Sequence, residues 1–257
     1  MVIYKEMWYW PHQSYRRIHI YLPDDYHFNE KEKYPVMYFF DGQNLFFDEE
    51  ATFGKSWGLN GFLSQWDKKM IIVGLECAHE NNDRLSEYFP YSRKMFKEQI
   101  DGLGDQTMEW LIYNVKPMID NQYRTYSFRE ASAIGGSSLG GIMAMYAVIK
   151  YNQFFSKAAC VSASVYHNLS SFRKTLEEAV ILPDTRIFIS WGEHEAGQAP
   201  HNGNPEFDTC EARSVHKFER ELQARGAQTY YYFQRDGGHS EESWQWQVPV
   251  FMEWLWK

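Results

Sequence analysis

The chain has 257 residues, 44% of them apolar and 18% aromatic, with a formal net charge of −8. That length suits one large α/β domain with a sizeable core, and the charge argues against nucleic acid or an anionic membrane as the main partner. No apolar run approaches the length of a membrane span.

The opening Met1-Val2-Ile3-Tyr4-Lys5-Glu6 lacks the basic segment and long apolar core of a signal peptide. Cys77, Cys160 and Cys210 form no disulfide framework, and the first two sit in apolar surroundings that suit buried thiols. A reduced, cytoplasmic protein is the expectation. Ten Trp and eighteen Tyr exceed what a core needs, so some are expected to line a pocket.

Taken in order, Tyr15 to Leu22 alternates and predicts an outer antiparallel strand, turned by Pro23-Asp24-Asp25. Tyr34 to Phe40 is a continuous apolar run, as expected of a strand buried on both faces, and it ends in Asp41-Gly42-Gln43-Asn44. Lys69 to Leu75 predicts the next buried strand. Glu76 to Arg93 reads as a long polar loop, and loops of that length in a compact domain are usually functional. Met108 to Ile119 has helical spacing, with Trp110, Leu111, Val115 and Met118 on one side. Glu130 to Ile134 is strand-like and Ile142 to Tyr151 helix-like, with a glycine-rich turn between them. Ala158 to Ser162 and Thr185 to Ser190 are further strands. Cys210 to Arg225 reads as a polar-faced helix stopped by Gly226, Gln228 to Gln234 as the last strand, and Trp244 to Trp256 as a closing amphipathic helix. This alternation predicts an α/β fold with a mostly parallel central sheet and helices on both faces, a single domain over 1–257.

The turn between 133 and 141 carries the chemistry. Gly136-Ser137-Ser138-Leu139-Gly140 matches G-x-S-x-G, the nucleophile elbow of α/β hydrolases. A strand that turns at once into a helix holds its serine at a strained backbone angle, and glycines two residues to either side remove the collisions. Ser138 then points out of the turn at the positive end of a helix, where a negatively charged intermediate is favoured. Ordinary glycine-rich turns also match this pattern, so the partners must decide.

In this fold the triad runs serine, acid, histidine along the chain, with acid and base on loops after later strands. Of nine histidines only His194, His201, His216 and His239 fall in the final portion. His216 lies mid-helix among charged residues, and His201 follows no strand. His239 directly follows the last strand, and Gly237-Gly238 gives its backbone room to swing. For the acid, Asp184 precedes its strand, whereas Glu193 and Glu195 follow it; Glu195 is preferred and Glu193 is the alternative. Backbone N–H groups of Leu139 and of Gln43, in the small-residue loop after a central strand, are the candidate oxyanion donors.

The chain resembles the esterase family of α/β hydrolases that includes enterochelin, feruloyl and acetyl-xylan esterases, mycolyltransferases and esterase D-like enzymes. The resemblance runs nearly the whole length. It rests on Arg17 to Pro23, Tyr34-Pro35-Val36, Asp41 to Phe46, Ser56-Trp57-Gly58, Ile72-Val73-Gly74 with Arg84 and Glu87-Tyr88-Phe89-Pro90, Tyr123-Arg124-Thr125, Gly136 to Gly141, and Gly237-Gly238-His239 to Trp244. It implies Ser138 as nucleophile, His239 as base, and Glu195, three residues past Gly192, at the acid position, with glutamate in place of the commoner aspartate.

The expected activity is serine-dependent hydrolysis of a small-molecule carboxylic ester through an acyl-enzyme, with no cofactor. Acyl transfer, or thioester or peptide cleavage, would use the same machinery; a catalytically silent scaffold used for binding is the contrasting class. Trp57, Tyr88, Tyr91, Trp191 and Trp244 either wall an aromatic cleft or simply pack. Arg84 either meets an anionic substrate group or pairs with Glu87. A metal site at His194, Glu195 and His201 would compete with the triad role of Glu195, so no metal is expected. The aromatic residues near the C-terminus leave a homodimer open.

Overall fold

Val2–Tyr9 (β1) alternates half-buried and exposed residues and folds back on Ser14–Tyr21 (β2) as an antiparallel hairpin, Val2 opposite Tyr21 and Tyr9 opposite Ser14. The turn is a short 3-10 segment, Trp10–His12, closed by Gln13 at φ 47°. Residues 15–22 are therefore the inner strand of a hairpin rather than an outer strand, because β1 covers their free edge. The computed structural model describes residues 1–80, 83–95, 98–195 and 204–257. They form two compact units, Met1–Ala133 and Ile134–Lys257.

In the first unit the strands run in the order β1-β2-β4-β3. Val36–Phe40 (β3) and Ile71–Leu75 (β4) are parallel, with Val36 opposite Ile71, and every residue of both is buried. Continuous apolar runs produce this outcome, since a strand covered on both faces leaves no exposed position to alternate with. The connections carry Leu59–Gln65 (α1) and Asp83–Tyr88 (α2), followed by a small hairpin of Arg93–Met95 (β5) and Glu98–Ile100 (β6). The segment expected to be one long loop, 76–93, thus contains a helix.

A long helical run follows. Gly104–Trp110 (α3) passes through a π-helical turn, Leu111–Val115, into Lys116–Gln122 (α4). The widened turn ends beside Pro117, with the Lys116 N–H reaching the carbonyl of Leu111. A proline lacks the N–H that a regular helix would use there and its ring crowds the preceding turn, which favours such a local change of register.

The second half has the strand order β7-β8-β9-β10. Ser132–Ser137 (β7) leads directly into Leu139–Lys150 (α5), buried from Leu139 to Ile149. A helix that is apolar all round is a core helix, and this one packs on Lys157–Val161 (β8). Leu169–Glu178 (α6) precedes Arg186–Gly192 (β9), which is parallel to β8 with Lys157 opposite Arg186. Cys210–Ala224 (α7) is capped by the Thr209 side chain and ends before Gly226 at φ 98°. Gln228–Gln234 (β10) pairs in parallel with β9, Gln234 opposite Gly192.

The predicted closing helix is two helices, Glu241–Gln245 (α8) and Val248–Leu255 (α9). Ser240 caps the first by accepting the Ser243 N–H, and Pro249 sits in the first turn of the second, where its missing N–H costs nothing. The architecture is α/β with a mostly parallel sheet, as the alternation of elements predicted. No helix among the described residues is long and apolar enough to cross a membrane.

A tight steric constraint lies where β7 meets α5. A Cβ on Gly136 would stand 2.6 Å from the backbone carbonyl of Gly140, and one on Gly141 would stand 2.8 Å from the Val161 carbonyl oxygen. Gly136→Ala is expected to cost at least about 3 kcal/mol by overpacking and to lower the melting temperature by about 6–12 °C in a thermal scan. An unchanged melting temperature would show that the turn relaxes freely.

Candidate active site

Ser138 sits between β7 and α5 at φ 56°, ψ −116°, a backbone conformation that L residues rarely hold. Its N–H donates to the Val161 carbonyl at 3.0 Å and its own carbonyl accepts the Ile142 N–H at 3.0 Å. The turn is thereby tied to β8 on one side and to the first turn of α5 on the other. Leu139 follows as the first residue of α5 and is buried. The first N–H groups of a helix have no partner within it, so a donor at this position is available to an anion.

The loops after β9 and β10 meet at glycines. A Cβ on Gly192 would lie 2.5 Å from the Gly237 carbonyl oxygen, and the His194 N–H donates to that oxygen at 2.8 Å. This close approach brings Glu195 and His239 together. The carboxylate oxygen Glu195 Oε2 contacts His239 Nδ1, with Glu195 only 1% exposed and His239 37% exposed. An ionised carboxylate can only accept, so Nδ1 carries the proton and Nε2 is left as the basic nitrogen. The other oxygen, Glu195 Oε1, accepts the Gly192 N–H at 3.3 Å and the Ser162 hydroxyl. Glu193 has a different partner: its Oε2 accepts the exposed Asp236 N–H at 3.0 Å.

Ser162, fully buried just past β8 at φ 46°, did not stand out in the sequence. A serine that ends an apolar strand carries no motif, and only the fold brings it to the acid. The indole of Trp244 packs edge-on against His239 with ring centroids 5.0 Å apart.

In the first unit, Gln43 lies in a 3-10 segment, Gly42–Asn44, directly after β3. Its side chain donates to Cys77 Sγ at 3.3 Å and to Thr52 Oγ1 at 3.2 Å. The segment is entered through Asp41 at φ 58°, and Gly42 packs so closely on β4 that a Cβ would meet the Gly74 carbonyl carbon at 2.5 Å. Arg84 clasps Asp41 with two bonds of 2.7 Å each, and the Tyr88 hydroxyl accepts the Asp41 N–H at 3.1 Å. Burial works against the Arg84 charge, but the Asp41 carboxylate outweighs it and holds the guanidinium pKa above its usual value. Burial pushes the Tyr88 phenol well up, and Asp41 adds to it.

The expected pairing of Arg84 with Glu87 does not form, because α2 turns Glu87 toward Arg16. The Nε and Nη2 atoms of Arg84 are instead taken by Asp41. Of the aromatic residues named as wall or packing residues, Trp57, Tyr88, Trp191 and Trp244 are buried and Tyr91 is half-buried. Trp57 meets Phe39 edge-on, Tyr88 meets Phe40, and Trp191 lies within β9 against Tyr166 rather than on a loop; Trp244 is in α8.

One group among the described residues has metal-ligand spacing: Glu193, His194 and Asp236 each bring an atom within 4.8 Å of the others. The Glu193 carboxylate already accepts the Asp236 backbone N–H, and all three lie on the two loops joined at Gly192 and Gly237. Glu195 is turned inward to His239 and takes no part, and His201 lies outside the described residues.

A sequence profile described as "Putative esterase" matches residues 12–255. The chain belongs to the Esterase family. This chain is an esterase. Within reach of the family, an uncharacterized protein, YbbA, of Bacillus subtilis (strain 168) is 25% identical over 184 residues, covering 70% of this chain and 69% of that protein. An IroE-like serine hydrolase from Shewanella oneidensis superposes with a TM-score of 0.75 at 20% identity, over 98% of this chain and 81% of its own. The siderophore hydrolase EstA from Aspergillus nidulans gives a TM-score of 0.72 at 15% identity, over 100% of this chain and 95% of its own. These likenesses show the α/β-hydrolase-like fold.

For this esterase, Glu195→Ala is expected to cut turnover of p-nitrophenyl butyrate by at least about 1,000-fold, whereas Glu193→Ala stays within about two-fold of wild type. The reverse order would assign the acid to Glu193.

Proposed function

We propose that the chain hydrolyses carboxylic esters through a Ser138–His239–Glu195 triad and an acyl-enzyme intermediate. The observation that carries this reading is the contact of the buried Glu195 carboxylate with His239 Nδ1. A glycine-rich turn with no chemical purpose needs no such pair on later loops. The strained backbone of Ser138 at the start of α5 supports the same reading.

In the first half of the reaction His239 Nε2 takes the Ser138 hydroxyl proton as Oγ attacks the ester carbonyl. The developing oxyanion is held by the backbone N–H of Leu139 and by the positive end of α5; such a donor is worth about 2.7–4 kcal/mol. His239 then gives its proton to the departing alcohol, leaving an ester on Ser138. Water then attacks the acyl carbon as His239 takes one of its protons, and the second tetrahedral species collapses by breaking the bond to Oγ, which regains its proton from His239 as the acid product leaves. Glu195 stays ionised throughout; it keeps the proton on Nδ1 and stabilises the imidazolium.

The substrate is a small-molecule ester. Names among the structural neighbours range over siderophore, ferulic acid and S-formylglutathione hydrolysis, so the acyl group is chosen by loops outside this shared machinery. Turnover of p-nitrophenyl acetate and butyrate is expected for wild type. Ser138→Ala is expected to lose at least about 10,000-fold and to take up no fluorophosphonate, with the wild-type adduct mapping to Ser138 by peptide mass. Equal turnover by both proteins would place the nucleophile elsewhere, and absence of turnover by wild type across short acyl esters would favour a binding role.

A further inference from the structure

We infer that Ser162 is a positioning residue for the triad acid, oriented for that task by the indole N–H of Trp244. The inference rests on the triad reading above and adds a role that the triad itself does not require.

The argument starts from what each group can donate. A tryptophan indole N–H only donates, and Trp244 Nε1 donates to Ser162 Oγ at 2.8 Å. That oxygen therefore acts as acceptor toward Trp244, and its single proton is free to point elsewhere. The remaining neighbour is Glu195 Oε1, which an ionised carboxylate presents purely as an acceptor. The indole thus sets the direction of the hydroxyl, and the hydroxyl holds the carboxylate.

The contacts close into a ring. His239 touches Glu195, Glu195 accepts from Ser162, Ser162 accepts from Trp244, and Trp244 lies edge-on against His239. The Ser162 backbone is held as well, its N–H donating to Ser190 Oγ at 3.0 Å. Its φ of 46° is a conformation in which serine is strained, and Gly would hold it without cost. A side chain kept there against that strain is doing something glycine cannot.

Glutamate gives the need a physical form. It has one more rotatable bond than aspartate, so fixing one oxygen on an imidazole leaves more motion to suppress. Two donors on Oε1, the Ser162 hydroxyl and the Gly192 N–H, lock the carboxylate plane with Oε2 facing Nδ1. They also draw charge away from the carboxylate. Without the hydroxyl, Glu195 would attract the Nδ1 proton more strongly and raise the basicity of His239.

The other titratable groups around the ring are Glu193 and His194 on the loop after β9, Asp236 before His239, and Tyr166. Burial raises the Tyr166 phenol, and Glu211 and Glu195 raise it further. All remain in place when Ser162 or Trp244 is changed.

The test is the pH dependence of kcat/KM for p-nitrophenyl butyrate in Ser162→Gly and Trp244→Phe, with Ser138→Ala and Glu195→Gln alongside. Ser162→Gly removes the hydroxyl while relieving the backbone, so it is expected to melt no lower than about 2 °C below wild type. Its kcat is expected to fall about 10–100-fold with KM within about two-fold, and the acidic limb of the profile to move to higher pH. Trp244→Phe keeps a ring against His239 and removes only the donor; a smaller fall, about 3–10-fold, with a shift of the same sign is expected, and it carries the test if Ser162→Gly does not fold.

Wild-type kcat in the folded variants, or a loss with the acidic limb unmoved, would overturn the inference. If Ser138→Ala and Glu195→Gln abolish turnover while Ser162→Gly does not change it, this inference alone fails. If those two retain turnover, the triad reading fails and takes this one with it.

Discussion

The chain reversal at Ser138 is the constraint on which the rest of this structure turns. A strand passes into a helix within one residue, and that residue must hold φ 56°, ψ −116°. Such a conformation costs about 1–3 kcal/mol, so the surroundings must over-determine it. They do so by exclusion of side chains. Gly136 and Gly140 touch backbone to backbone, and Gly141 lies against the Val161 carbonyl, so none of the three positions has room for a side chain. The burial of α5 from Leu139 to Ile149 then offsets the local strain, because the helix cannot move without exposing its apolar surface.

A second principle recurs in both units: a carboxylate placed on the loop after a parallel strand, buried, and held through both oxygens. After β3 it is Asp41, gripped by the two-bond fork of Arg84 with its backbone fixed by Tyr88. After β9 it is Glu195, held by Ser162 and Gly192 through one oxygen and by His239 through the other. Burying such a charge without partners would cost several kcal/mol, so each of these loops is stable only in the arrangement that satisfies it. The difference between them lies in the partner. A guanidinium stays charged and makes a rigid clasp, whereas an imidazole can give up and regain a proton.

Much of this was legible in the residues. The apolar runs at Val36–Phe40 and Ile71–Leu75 read directly as strands because full burial removes alternation, and Gln228–Gln234 falls where its tyrosines and phenylalanine put it. The elbow was readable because steric exclusion around a tight turn acts over two residues and leaves glycine as its mark. Other features left weaker marks. The first strand carries lysine and glutamate in its middle, and its pairing with β2 decides its state more than its composition does. The helix Asp83–Tyr88 is too short to show a period. The break near Pro249 was masked by a run of tryptophans that reads as one amphipathic face.

By itself the sequence determined the turn at Ser138 and the family to which the chain belongs, because these depend on contacts between near neighbours and on motifs read along the chain. Which partner each charged or aromatic side chain meets was decided only by the tertiary structure. Glu193 and Glu195 are two residues apart and chemically alike. The parallel register that sets Gln234 opposite Gly192, and the glycine contact just beyond it, turns one toward His239 and the other toward Asp236. The same holds for Arg84, Trp191, Trp244 and Ser162: their partners are distant in sequence, and packing and register select them where residue type cannot.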